Sequence, residues 1–177
     1  MILGLDVSTQ KIGIAVIEED KSIVHSVVIR FPKDKSLLEK AGIFKKEIKT
    51  LKKSYKIDKI AIEAALMMFG AKSSMASVIS ILQRFNGMIS YIVYDTYKIE
   101  PVMVNVNSAR NKLGIKIDRK IKYKNTRQKK DPIINYMVEM YRLSKTPIEI
   151  ELNRNGVWKD GEDDRIDALV IALSQIA

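Results

Sequence analysis

The stretch Ile2-Leu3-Gly4-Leu5-Asp6 at the amino terminus predicts a short buried strand that ends in an acid. A polar turn, Ser8-Thr9-Gln10-Lys11, separates it from a second apolar run, Ile12 to Glu18, which predicts a second strand. Gly13 and Ala15 of this second strand are small enough to let another element approach closely. Because a third Val- and Ile-rich run follows after one more short turn, the first part of the chain predicts an antiparallel meander of three strands.

Beyond this meander, whose third strand is expected over residues 22–31, helices alternate with short strands. Helical periodicity predicts four longer helices, over residues 36–55, 73–94, 131–143 and 162–176. Two further apolar runs predict strands over residues 59–63 and 102–106. This order is typical of an α/β fold with a mixed central β-sheet flanked by α-helices. The length of 177 residues suits a single domain spanning residues 1–177.

The composition points to a polyanionic partner. The chain has 31 basic and 21 acidic residues, a net charge of +10 at pH 7 and a pI near 9.6. Nucleic acid is favoured over an anionic membrane, because the basic residues do not lie opposite a strongly apolar helical face. A basic surface without a partner is the alternative. The absence of cysteine excludes disulfides and cysteine-based zinc sites. No apolar run approaches the ~20 residues of a membrane span, and a cytoplasmic protein is expected.

The segment from Arg110 to Lys130 differs from its surroundings, with ten basic residues and a single acid, Asp118. We interpret it as a basic loop that contacts nucleic acid, with a solvated charged loop as the alternative. Asn107 or Ser108 is expected to cap a brief helix before it, and Asp131-Pro132 to start the next helix. The candidate DNA contacts in this segment are Arg110, Lys112, Lys116, Arg119, Lys120, Lys122, Lys124, Arg127, Lys129 and Lys130.

Four acids stand out by their context. Asp6 and Glu63 each end an apolar strand, whereas Asp164 and Asp167 lie three residues apart, on one face of the last predicted helix. Phosphodiester hydrolysis with two magnesium ions needs several converging carboxylates, since these hard cations prefer oxygen ligands. Zinc-dependent and histidine-dependent catalysis fit poorly, because the chain has no cysteine and one histidine.

Each of these acids also has a structural interpretation. Asp6 could cap the turn that follows it, Glu63 could pair with a lysine, and Asp164 could complement the amino terminus of its helix. Asp163 is a rival to Asp164, since it lies four residues before Asp167 and shares its face. Asp167 lies beyond the first helical turn between apolar neighbours, so a structural role explains it less well. The four acids together indicate a metal site more specifically than any one of them does alone.

The sequences around these acids resemble a known family. Ile2-Leu3-Gly4-Leu5-Asp6, Lys59-Ile60-Ala61-Ile62-Glu63 and Asp164-Arg165-Ile166-Asp167-Ala168-Leu169 resemble the three acidic motifs of RuvC-type Holliday junction resolvases, in the same order and at similar spacing. Asn107-Ser108-Ala109-Arg110 is similar to the family's segment after its fourth core strand. The resemblance covers most of the chain and favours a phage or viral-type member.

The resemblance implies an RNase H-like fold, a homodimer, and two magnesium ions per active site, for which manganese substitutes. It implies an endonuclease that nicks opposite strands of a four-way DNA junction. It also implies four metal ligands, here Asp6, Glu63, Asp164 and Asp167. An assisting basic residue is implied as well, for which Lys130 is the nearest match and Lys129 the next.

Two features depart from the family's pattern. Bacterial members place an aromatic wedge three residues after the second-motif glutamate, where this chain has Leu66, whereas Phe69 lies six residues after Glu63. Phe69 is therefore a candidate to stack on a base at the junction centre, with packing as the alternative. The segment from Arg110 to Lys130 is longer than in the cellular enzymes, which favours a broader range of branched DNA, including flaps and forks.

Three rival functions are compatible with the sequence to different degrees. Gly4-Leu5-Asp6-Val7-Ser8-Thr9 also resembles the first phosphate loop of sugar kinases and actin-like ATPases, but those need two such domains and a longer chain. Another RNase H-like nuclease, acting in ribosomal RNA processing, is the second rival. A non-catalytic branched-DNA-binding protein would share the net charge, but it would gain nothing from acids close to phosphates.

Overall fold

Five strands form one mixed sheet in this computed structural model, which describes residues 1–65, 73–116 and 126–176. The strands are β1 Ile2–Val7, β2 Lys11–Ile17, β3 Ile23–Arg30, β4 Lys59–Glu63 and β5 Val102–Val104. Their order across the sheet is β3-β2-β1-β4-β5. The pairs β1–β2 and β2–β3 are antiparallel, whereas β1–β4 and β4–β5 are parallel. The predicted three-stranded meander is therefore confirmed as one side of this sheet.

Helices cover both faces of the sheet. Those of the described residues are α1 Leu37–Ser54, α2 Ser73–Tyr97, α3 Val106–Lys112, α4 Thr126–Tyr141 and α5 Glu162–Leu173. Buried side chains of α1 and α2 pack against one face of the sheet, and those of α3, α4 and α5 pack against the other. The predicted α/β fold, with a mixed sheet flanked by helices, is confirmed. None of the helices in the described part of the chain is both long and apolar enough to cross a membrane.

Alternation along β1 separates a large apolar face from a face of small and acidic residues. Leu3, Leu5 and Val7 lie in the core beneath α1 and α2. Successive side chains of a strand point to opposite faces, so Gly4 and Asp6 face α5 on the other side. The neighbouring strand β4 follows the same alternation. The sheet therefore presents the acid Asp6 and the small residues Gly4 and Ala61 to α5, beside the buried Ile2 and Ile17.

Helix α5 is packed with its backbone directly against the backbones of β1 and β2. A Cβ atom added to Gly4 would lie 2.2 Å from the carbonyl oxygen of Ala168, and one added to Gly13 would lie 2.0 Å from that of Asp164. Real Cβ contacts essentially never fall below 3.0 Å. The absence of side chains at these two positions therefore allows α5 to lie at this height above the sheet. The close approach expected at Gly13 is confirmed.

Helix α1 begins with a capping box. The Ser36 hydroxyl accepts a hydrogen bond from the backbone N–H of Glu39 at 3.3 Å, and the Glu39 carboxylate accepts one from the backbone N–H of Ser36 at 2.9 Å. These two bonds satisfy donors that a helix start otherwise leaves without partners. The cap fixes where α1 enters the core after β3.

Two predicted helix starts were wrong. Asn105, rather than Asn107 or Ser108, caps α3, because its side chain accepts hydrogen bonds from the backbone N–H groups of both those residues. Helix α4 begins at Thr126 and encloses Pro132, whereas the start was expected at Asp131. The residues before Asp131 include Arg, Gln and Lys, which are good helix formers and extend the helix towards the amino terminus. The basic segment is therefore helical at both of its ends, not a loop throughout.

Candidate active site

Asp6 and Glu63 lie side by side near the carboxyl ends of two neighbouring parallel strands. Leu5 of β1 is paired with Ile62 of β4, so the next residues of the two strands are neighbours as well. Burial above all, and then the neighbouring Glu63 carboxylate, raise the pKa of Asp6 well above its ordinary value. Burial and the neighbouring carboxylate thus disfavour the ionised form of Asp6.

Helix α5 brings two further carboxylates to this pair. Asp167 is 3% exposed, and the side chain of Asp164 is 15% exposed. The charges of both add to the rise in the pKa of Asp6, and burial raises the pKa of Asp164 itself. The structure thus brings the four predicted acids together at one end of the sheet. The rival Asp163 lies 4.0 Å from the Lys130 ammonium, with a side chain that is 23% exposed.

Two cations hold Asp167. A terminal nitrogen of the Arg110 guanidinium donates to both carboxylate oxygens of Asp167, at 2.6 and 2.8 Å. The ammonium of Lys130 donates to Oδ2 of the same carboxylate. Burial lowers the pKa of Lys130, but the charge of Asp167 and the hydrogen bond to it outweigh burial and raise that pKa. Lys130 is therefore a cation beside Asp167.

Arg110 occupies a different place from the one expected of a DNA contact. It is 7% exposed, and it lies inside the carboxylate cluster instead of on the surface. Its position follows from α3, which packs against α5 and directs Arg110 towards Asp167. As placed, the guanidinium is engaged by a carboxylate and does not face solvent, where a phosphate would have to reach it.

Lys11 is a member of the cluster that the sequence did not single out. It begins β2, and its ammonium lies 2.7 Å from Oδ2 of Asp164 and 2.8 Å from Oδ1 of Asp160. The only signal was its place at the end of the turn after β1, next to the strand that carries Asp6. Lys11 fixes the start of α5 to the sheet through these two contacts.

Positive charge is distributed unevenly among the four acids. Arg110 and Lys130 pair with Asp167, and Lys11 pairs with Asp164, but no lysine or arginine of the described residues forms an ion pair with Asp6 or Glu63. Carboxyl oxygens that lack a cationic partner fit a hard divalent cation such as Mg²⁺.

The orientation of Asp167 sets a condition for such an ion. Within the described residues, no three carboxylate or imidazole side chains are arranged to hold one metal ion together. Both oxygens of Asp167 face Arg110, and one of them also faces Lys130. Asp167 thus accepts three of the roughly four hydrogen bonds that a carboxylate can take, so any metal ion would share this side chain with its two cations.

The fold of this chain, but not its sequence, matches those of known proteins. No protein-family model matches the sequence, and no curated protein is similar to it in sequence. Solved structures do match. RuvC of Thermus thermophilus in complex with a Holliday junction substrate is 13% identical with a TM-score of 0.63, covering 98% of this chain and 90% of that one. A second T. thermophilus RuvC structure gives a TM-score of 0.58 at 13% identity, covering 98% and 91%. The yeast mitochondrial Holliday junction resolvase Ydc2 is 17% identical with a TM-score of 0.53, covering 99% and 77%. The fold is RNase H-like.

Of the remaining predicted DNA contacts, the structure describes the side chains of two and not those of the others. Lys112 donates to the carbonyl oxygen of Ser174 at 2.7 Å, which ties α3 to the end of α5, and Lys116 is exposed. Phe69 lies outside the described residues. So do four predicted basic contacts, Arg119, Lys120, Lys122 and Lys124, and the side chains of Arg127 and Lys129.

Proposed function

We propose that this protein is a magnesium-dependent endonuclease that cleaves Holliday junctions and other branched DNA. One observation carries the proposal: four carboxylates converge at one end of the sheet, and the Asp6–Glu63 pair has no cationic partner among the described residues. A protein that only binds DNA would gain nothing from such a cluster, since carboxylates repel phosphates. The likeness to RuvC, whose solved structure contains a Holliday junction substrate, supports a DNA junction as the substrate.

In this proposal, Asp6, Glu63, Asp164 and Asp167 hold two magnesium ions, and manganese substitutes for them. When bound, the metals lower the pKa of the attacking water and neutralise charge on the scissile phosphodiester. The chain's own part is to hold four oxygen-bearing side chains on rigid elements, two on the sheet and two on α5.

The cations of the cluster have separate parts in the proposal. Arg110 keeps the Asp167 carboxylate in place from one side. Lys130 is protonated and partly exposed, with 23% of its side chain accessible, so it can also neutralise a phosphate that approaches Asp167. Lys11 holds Asp164 through an ion pair and thereby fixes the first turn of α5 over β2. Each of these residues acts on a carboxylate that would contact metal or phosphate.

We further propose that two copies of the chain act together on one junction. Resolution requires cuts in opposite strands, which a homodimer with two equivalent sites provides. Helix α2 exposes large apolar side chains that fit a contact between copies, including Val78 at 64% and Tyr91 at 66% exposure. Sedimentation of the purified protein tests this directly: a monomer at working concentrations would contradict the dimer and leave the proposed chemistry intact.

The nuclease proposal is tested on a labelled four-way junction beside a linear duplex of the same sequence. We expect magnesium-dependent, symmetric cuts near the branch point, with no cuts in the duplex. Asp6→Asn should abolish them, whereas Asp34→Asn, an exposed aspartate between β3 and α1, should cut like the parent. Cleavage of flaps and forks as well would indicate a general debranching nuclease, and preferential cleavage of structured RNA would indicate RNA processing. Full activity of Asp6→Asn would refute the assignment of the site.

A further inference from the structure

The outward face of α1 carries a dense set of lysines. At about 100° per residue, five lysines of this helix fall on one arc of roughly 120°, and a sixth follows just after the helix ends. The apolar residues of α1, among them Phe44 and Ile48, lie on the other side and are buried against the sheet and α2. The members of this set, called the α1 lysine face below, are Lys45, Lys46, Lys49, Lys52, Lys53 and Lys56.

Most of this charge is uncompensated. Lys45 pairs with Asp95 at 3.5 Å, and Lys52 donates to the carbonyl oxygen of Thr96. The other four members, Lys46, Lys49, Lys53 and Lys56, are exposed and form no ion pair or side-chain hydrogen bond with another described residue. Like charges three and four residues apart repel each other by a few tenths of a kcal/mol per pair. The face therefore weakens the isolated protein slightly and is complementary to a polyanion.

The chemistry of the face selects among polyanions. All six residues are lysines, which bind phosphate as point charges, whereas arginine binds it in a fixed bidentate geometry. Such a surface follows a chain of phosphates without reading its sequence. An anionic bilayer fits less well, because the apolar side of α1 is buried in the core and cannot enter a membrane.

The α1 lysine face extends away from the carboxylates. Its far end lies beside the end of α2, where Lys52 meets Thr96, and beside the start of β3, where the Tyr55 hydroxyl donates to the carbonyl oxygen of Val24. The next strand, β4, begins at Lys59 and reaches the cluster only at its last residue, Glu63. Four residue steps of strand correspond to about 13 Å. Groups at the far end of this face are therefore remote from the carboxylates.

We propose that the α1 lysine face is a second, sequence-independent contact for the nucleic-acid backbone, separate from the carboxylate site. The inference rests on the proposed function only in taking nucleic acid as the partner. The contact contributes to affinity and to its salt dependence, and it leaves the chemical step unchanged.

The test is binding without catalysis. Fluorescence anisotropy in EDTA measures the affinity for a labelled four-way junction over a range of salt concentrations. One variant replaces Lys46, Lys49, Lys53 and Lys56 by glutamine, which keeps helix propensity. The control variant replaces four lysines elsewhere by glutamine, with the same loss of net charge: Lys21, Lys98, Lys145 and Lys159. Far-UV circular dichroism and melting establish that both variants fold, and the double variant Lys49→Gln/Lys53→Gln serves if the quadruple one does not.

Each phosphate contact contributes about 0.9 to the magnitude of the slope of log affinity against log salt. The slope of the face variant should therefore be smaller in magnitude than that of the parent by up to roughly 3–4. The control should lose less than about 1, and the loss should be equal for two unrelated junction sequences. An equal loss in both variants would show an effect of net charge alone and overturn the proposal. So would an unchanged slope, or binding of the face to phosphatidylserine vesicles and not to DNA. Failure of the parent to cut in magnesium, with the slopes as expected, would refute only the nuclease.

Discussion

Substitution of Gly13 by alanine probes how tightly the sheet fixes the carboxylates of α5. The new Cβ would lie 2.0 Å from the carbonyl oxygen of Asp164, whereas ordinary contacts begin at 3.4 Å, so the two backbones must separate by about 1.4 Å. The obstructing atom belongs to the α5 backbone, so a rotamer change does not relieve the clash. The whole first turn of α5, with Asp164, must move away from Asp6.

Two consequences follow for the Gly13→Ala protein. Overpacking of this kind costs about 1–3 kcal/mol of the free energy of unfolding. A displacement of about 1 Å among catalytic groups lowers the rate by about 100-fold. Urea unfolding measures the first quantity, and junction cleavage under single-turnover conditions measures the second. Manganese binding followed by electron paramagnetic resonance gives a third reading that does not depend on cleavage.

Gly42→Ala is the matched control. Gly42 lies in α1, and a Cβ added there would meet nothing within 4 Å. Alanine in a helix is favoured over glycine by about 0.5–1 kcal/mol, so this variant should be slightly more stable than the parent and equally active. The reasoning is refuted if Gly13→Ala matches Gly42→Ala in stability and manganese affinity, because α5 would then not lie against β2 as described.

Three further substitutions test the charges and the cap. Arg110→Met removes one of the two cations on buried Asp167 and should cost about 3 kcal/mol in urea unfolding, with partial recovery in magnesium; equal stability with and without Arg110 would contradict the ion pair. Asp6→Asn removes a buried charge whose pKa is raised, so the metal-free protein should melt higher at pH 7 and lose its stabilisation by magnesium; a lower melting temperature would contradict this. Ser36→Ala should cost about 1 kcal/mol through loss of the cap on α1, and an unchanged urea midpoint would show that the capping box contributes nothing.

The strands and the acids at their ends were predictable because their signals are local. β4 was expected over 59–63 and has those bounds, and the meander was read from two short polar turns between Val- and Ile-rich runs. Asp6 and Glu63 each end such a run, so their burial next to each other follows from the parallel pairing of β1 with β4. The close approach at Gly13 followed from residue size alone.

The ion pairs of the site were harder to predict from the sequence. Arg110 lies in a basic segment and had the pattern of a surface residue, but its partner Asp167 is 57 residues away in the chain. Lys11 and Asp164 are still further apart, and only the packing of α5 on β2 brings them together. Long-range ion pairs between common surface residue types leave no periodic signal. The start of α4 differs from the prediction because Pro132, which is well suited to the first turn of a helix, lies inside this one.

The packing of the α5 backbone directly on the backbones of β1 and β2 predicts slow hydrogen exchange in these elements. Contacts between side chains can loosen gradually through rotamer changes. Where α5 packs on Gly4 and Gly13, however, the contact is between backbones, and no side chain there can change its rotamer. α5 and the two strands beneath it should therefore open together, as one cooperative unit, and their amide protons should exchange only when the whole molecule unfolds. The arrangement of the carboxylates would then persist for as long as the protein is folded, without help from substrate.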